Sequence, residues 1–222
     1  MIYILLFLAV AIGYVIALLL NKKELKQMSL FLAFSGAFLL ALTIFELLPE
    51  VFTSSTKEIG IYIMAGIMLQ IVLEFFSKGA EHGHVHLHQH DKAFPWLLFI
   101  SLSIHALLEG FPISEENNLL IGVIVHKIPI AIILSIFFIK AHYPRTTTLL
   151  FLTLFAIMTP LGNWIANHYS EIHTYKTEIN AVVIGIFLHV STTILFESSK
   201  DHKFNLTKLL TIIMAIVIAY FL

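Results

Sequence analysis

Two stretches of this chain carry side chains that are costly to keep in apolar surroundings. One reads Ser101-Leu-Ser-Ile-His105-Ala-Leu-Leu-Glu109-Gly-Phe-Pro112, the other His126-Lys127-Ile-Pro129-Ile130-Ala131. His105 and Glu109 are four residues apart, so on a helix both leave one face a turn apart. Two imidazoles and a carboxylate form a ligand set for a divalent transition metal, with water completing the coordination. The structural alternative is a hydrogen-bonded His and Glu pair that glues helices together. Three ionisable groups beside two prolines favour ligation, because each proline frees a carbonyl and permits a bend. A further set of possible ligands, His82, His84, His86, His88 and His90, alternates along Glu81 to His90.

The elements that must position these groups are transmembrane helices. Of 222 residues, 59% are hydrophobic and 12% charged, about half the charged share of a soluble domain. Mean hydropathy is +0.92, which excludes a cytosolic enzyme or secreted module. A formal net charge of -1 leaves no basic excess for nucleic acid. With no cysteine and 12 histidines, disulfides and thiolate metal sites are excluded, and histidine and carboxylate remain as the strong ligands. Polar punctuation predicts an all-α integral membrane fold of eight spans, each of roughly 20 apolar residues. They lie near Ile2 to Leu20, Met28 to Leu48, Ile59 to Ser77, Pro95 to Ile113, Leu119 to Ile139, Thr148 to Asn167, Thr177 to Phe196 and Leu206 to Leu222. The first run lacks a cationic lead-in and is expected to be a retained span rather than a cleaved signal.

Charge in the connections orients the spans. Lys22, Lys23, Lys26, Lys78, Lys92, Lys140, Arg145, Lys200, Lys203 and Lys208 fall in or beside the odd connections, Lys57 and Lys176 in the even ones. The odd connections are therefore expected to face the cytoplasm and both termini the outside, in a cell (inner) membrane. At 1.5 Å per residue, His105 and His126 each lie roughly 12 Å below the outer boundary, at one level. The whole chain, 1–222, reads as one transmembrane domain, with a cytoplasmic histidine-rich loop at 78–94. Gly36-Ala-Phe-Leu39 and Gly185-Ile-Phe-Leu188 run in opposite directions. They suggest an inverted repeat of spans 1–3 and 6–8 around central spans 4 and 5.

These motifs resemble the ZIP (Zrt/Irt-like) family of divalent metal transporters. The fourth-span pattern His-Asn-x-x-Glu/Asp-Gly appears as His105-Ala106-Leu-Leu-Glu109-Gly110, and the fifth-span pattern His-Glu-x-Pro-His-Glu as His126-Lys127-Ile-Pro129-Ile130-Ala131. Leu47-Leu-Pro-Glu50, Pro160-Leu-Gly162 and Gly185-Ile-Phe-Leu188 agree as well. The resemblance implies a carrier of zinc, or of iron, manganese or cadmium, into the cytoplasm, with His105, Glu109 and His126 as ligands. No cofactor is required; the metal ion and membrane lipid are the partners, and a homodimer is left open. Departures from the family's binuclear type are Ala106, Lys127, Ile130 and Thr159, and Glu46 stands where the family commonly has His. They point to one ion rather than two, with the Lys127 ammonium standing in for the second cation and neutralising Glu109, or pairing with a carboxylate for structural reasons alone.

Glu46, Glu50, Glu115 and Glu116 are expected on the outer side. Glu46 and Glu50 would gather cations at an entrance, whereas Glu115 and Glu116 read as a solvated turn. Glu74, Glu197 and the five loop histidines would receive the departing ion, the histidines as weak ligands that release metal on protonation near pH ~6.5. His189 is expected to serve as a hydrogen-bonding group. Two other classes compete. One is an intramembrane zinc hydrolase built from Ser101, His105, His126 and His189, although no His-Glu-x-x-His helix is present. The other is a metal-gated receptor or sensor.

Overall fold

A computed structural model describes residues 1–20, 28–52, 56–77, 79, 94–115, 117–197 and 206–222. Among the described residues there are helices and connections but no strand. We label the long helices α1 (Ile2–Leu19), α2 (Met28–Val51), α3 (Thr56–Ser77), α4 (Trp96–Glu109), α5 (Leu119–Lys140), α6 (Arg145–His168), α7 (Lys176–Glu197) and α8 (Leu206–Tyr220). Six of them are long and apolar enough to cross a membrane; α4, with 14 residues, and α8, with 15, are shorter. At 1.5 Å per residue α4 spans only about 21 Å.

The ends depart from the predicted boundaries for local reasons. The fourth span was expected to reach Ile113, but α4 stops at Glu109. Beyond it the Gly110 and Phe111 amides turn back to Leu107 and Leu108 in a tighter turn, and Pro112 has no amide with which to continue. Asn163 on α6 donates its Nδ2 to the Gly110 and Ile113 carbonyls at 3.2 and 2.7 Å, and Asn117 donates to the Pro112 carbonyl at 2.8 Å. These bonds satisfy the carbonyl of the Gly110 cap and two carbonyls of the turn beyond it. A further departure is a π-helical turn, Thr43–Leu47, inside α2. Pro129 and Pro160 both lie within continuous helices; Pro129 deprives the Val125 carbonyl of its i+4 donor. A five-residue helical turn, Ser170–Thr174, was not foreseen and buries nothing.

The helices sort into two groups by their packing. In one, α1 lies against α5 and α6, and α4 lies against α6; in the other, α2 lies against α7 and α8, and α3 against α7. Two main seams join the groups, α2 with α5 and α3 with α4, and α4 also touches α7. Small residues set the closest crossings. A Cβ at Gly162 would overlap the Leu107 carbonyl oxygen across α4 and α6, and one at Gly66 would overlap the Val182 carbonyl across α3 and α7. Close backbone approach of this kind is how helices associate where lipid removes the hydrophobic drive between them.

Candidate metal site

The four ionisable residues of the two motifs, His105, Glu109, His126 and Lys127, are all buried, and their side chains touch in pairs between α4 and α5. The imidazoles of His105 and His126 stand edge to face with ring centroids 6.2 Å apart. Two imidazoles on one tetrahedral ion place their centroids on the order of 5 Å apart, given metal–nitrogen bonds of about 2.0–2.1 Å. The rings are therefore about 1 Å wider than a closed site.

Each ring is also tied across a seam. His105 Nδ1 donates to Gln70 Oε1 on α3 at 3.1 Å, and His126 Nδ1 lies 3.4 Å from the Ser35 hydroxyl on α2. With Nδ1 engaged in this way, Nε2 is the nitrogen through which either ring would ligate an ion.

Glu109 is turned to a different partner. Lys127 Nζ donates to Glu109 Oε2 at 2.9 Å, in a pair with side chains 2% and 1% exposed. The ammonium also stands over the Phe155 ring, 4.7 Å from its centroid. The Thr159 hydroxyl donates to the Ala106 carbonyl at 2.7 Å and approaches Glu109 Oε2 to 3.3 Å. Glu109 Oε1 is buried and has no hydrogen-bond partner. Such an atom carries a desolvation cost that nothing in the resting arrangement offsets. Among the described residues, no three His, Asp or Glu side chains are gathered closely enough to hold a metal ion.

The other expected residues lie elsewhere. Both carboxylate oxygens of Glu46, in the π-helical turn of α2, accept from Asn118. Glu50 is exposed and 3.5 Å from Lys176. Glu74 on α3 accepts from His189 Nε2 at 2.6 Å, giving His189 a hydrogen-bonding role. Glu115 is exposed. Glu197 closes α7, but its side chain, Glu116 and the five loop histidines lie outside the described residues. Sequence reasoning missed Gln70, Ser35 and Phe155. Gln70, a buried amide inside a span, was the one detectable signal among them.

Residues 77–222 match the family described as ZIP zinc transporter. The chain belongs to this family. The matched stretch holds α4 to α8 and all four buried polar residues of the site. Among curated proteins, Zinc transporter ZIP1 of Danio rerio is 31% identical over 136 residues, which is 56% of this chain and 43% of that protein. Protein zntD of Dictyostelium discoideum is 31% identical over 150 residues, 58% of this chain and 22% of that protein. Zinc transporter ZIP1 of Takifugu rubripes is 26% identical over 131 residues, covering 56% of this chain and 43% of that protein. The chain thus spans less than half the length of these relatives. ZIP membership together with six apolar helices of spanning length makes it an integral membrane protein. The family's description is of a transporter, not of an enzyme.

Proposed function

We propose that the chain carries a divalent metal ion, zinc foremost, into the cytoplasm through one mid-membrane site formed by His105, Glu109 and His126. The observation that carries this reading is the buried, unpartnered Glu109 Oε1, one turn along α4 from His105, whose ring in turn faces that of His126. A buried carboxylate oxygen left without a donor, on the helix that also carries His105, supports a cation as its missing partner. The resting cation is Lys127, which holds Oε2. Cargo would draw Glu109 toward the imidazoles and close the excess spacing, while Lys127 keeps its Phe155 contact. One positive side chain beside one carboxylate leaves room for a single divalent ion, since a second would be repelled in a poorly solvated space.

The same reading takes α4 and α8 as the fourth and eighth spans, with both termini outward and odd connections in the cytoplasm. The packing supports an inverted repeat. Exchanging α1 with α6, α2 with α7, α3 with α8 and α4 with α5 turns the α1–α5 contact into α6–α4 and the α2–α8 contact into α7–α3. Glu50 stands at the entrance, Glu74 and Glu197 toward the exit, and the loop histidines beyond them. Transport runs down gradients, no nucleotide-binding loop being present in the sequence. Iron, manganese and cadmium are the competing cargoes, because histidine and carboxylate serve them all. The hydrolase alternative gains nothing from the geometry, with Ser101 donating to the Leu73 carbonyl at 2.7 Å and His189 engaged by Glu74.

Uptake of radiolabelled zinc into liposomes holding the purified chain tests the proposal and separates a carrier from a sensor. His105→Ala, Glu109→Ala and His126→Ala should each abolish uptake without reducing the amount of protein in the membrane. Wild-type uptake by Glu109→Ala would overturn the site.

A further inference from the structure

We propose that Glu46 and Asn118 form a latch that holds the outer end of the α2–α5 seam shut and must open for cargo to reach His126. The inference rests on the transport reading for its orientation, but its contacts are independent of any metal. Glu46 Oε2 accepts from the Asn118 backbone amide at 2.9 Å, and Glu46 Oε1 accepts from Asn118 Nδ2 at 2.9 Å. Asn118 is the residue before the first turn of α5, and its own side chain caps nothing there. The cap of α5 is therefore supplied by α2, and it brings a carboxylate to the positive end of the helix dipole. A pincer on the two donors of one residue makes or breaks as a unit. The π-helical turn Thr43–Leu47 carries Glu46 and so sets where that side chain reaches.

Below the latch the seam is packed. A Cβ at Gly122 of α5 would meet Leu42 Cδ1 of α2 at 2.7 Å, and both Leu39 and Leu42 are fully buried. Further down lies the Ser35 and His126 contact. An ion entering between α2 and α5 from the Glu46 end reaches His126 only if these helices part. A carboxylate whose two oxygens are both engaged is also a poor collector of free cations, so holding α5 replaces the entrance role that the sequence suggested for Glu46.

The chain has no cysteine, so Leu42→Cys places a single thiol in the seam one turn below Glu46. In oriented liposomes, a membrane-impermeant maleimide added outside, without zinc, should label it slowly. Adding Glu46→Ala should speed labelling by about a hundredfold, the lower end of what losing two charge-assisted hydrogen bonds is expected to give. Asn118→Ala, which keeps the backbone amide, should speed it less, and the double variant should be no faster than Glu46→Ala alone. Should Glu46→Ala fail to fold, Asn118→Asp carries the test, because it sets a second carboxylate against Glu46 and should also speed labelling.

Unchanged labelling, or effects that multiply in the double variant, would overturn the latch. So would a Glu46→Ala that raises the KM for zinc while leaving labelling untouched, since that is the signature of a cation collector. Faster labelling from the opposite face alone would overturn its outer placement. Loss of zinc uptake is not part of this readout, so failure of the central site and failure of the latch are separable.

Discussion

Replacing Lys127 by methionine should destabilise the empty protein and make zinc a stronger stabiliser than it is for the unaltered chain. The substitution keeps much of the side chain's length and removes the 2.9 Å ion pair and the ammonium over Phe155. Glu109, 1% exposed, is then left with the Thr159 hydroxyl 3.3 Å from Oε2 and no partner at Oε1. Removing one member of a buried pair costs about 3–5 kcal/mol, because the other charge stays desolvated. For a chain of this length each kcal/mol moves the melting temperature by about 2–4 °C, so a loss of roughly 10 °C is expected. Glu109→Gln in the same protein should restore most of it by removing the orphaned charge. Zinc at a hundredfold excess over its Kd adds about 2.7 kcal/mol to any folded state that binds it. In Lys127→Met it should also recover part of the lost 3–5 kcal/mol, about what the missing ammonium supplied. The assay is thermal unfolding of the purified protein, with the loop histidines replaced, with and without zinc. Equal zinc shifts in the two proteins, or no rescue by Glu109→Gln, would refute the idea that Lys127 and the cargo share Glu109.

Two further outcomes are expected. Changing His82, His84, His86, His88 and His90 together to serine should leave zinc uptake measurable while altering its rate or its inhibition by internal zinc; complete loss of central-site binding would show the ligands to be misassigned. Gly162→Ala, whose Cβ overlaps the Leu107 carbonyl, should push α4 from α6 by on the order of 1 Å. That would loosen the Thr159 bond to Ala106 and be read as a lower melting temperature, whereas Gly60→Ala, with open space around it, should leave stability unchanged.

Much of this arrangement is legible in the sequence because lipid removes alternatives. A run such as Ile2–Leu19 can satisfy its backbone only as a helix, and buried ionisable groups stand out against it. What is not legible depends on contacts between distant residues. The end of α4 is set by Asn163, 50 residues from the Ile113 carbonyl it caps. The π-helical turn at Glu46 has no composition that marks it in advance. Ser35 escapes notice because hydroxyl residues are common in spans, and although an amide such as Gln70 is detectable there, only the fold sets the two beside His126 and His105. The pairing of Lys127 with Glu109 follows from charge alone once both are placed in one membrane level, and the structure contains it.

The two seams give the site a property that neither helix group has alone. Both imidazoles belong to the group of α1, α4, α5 and α6, yet the groups that engage their Nδ1 atoms, Gln70 and Ser35, belong to α3 and α2. Glu109, by contrast, is held within its own group by Lys127 and Thr159. Sliding one group past the other would leave the Glu109 pair intact but take an acceptor from His105 and a hydroxyl from His126. A ring that loses its Nδ1 partner loses the bond that fixes its tautomer and orientation, and with it part of its basicity toward a metal. On the proposed site, the affinity of the histidines for an ion would thereby be linked to the register of the seams. In a carrier that is the coupling required: the same movement that exposes the site to a new side also weakens its hold on the cargo.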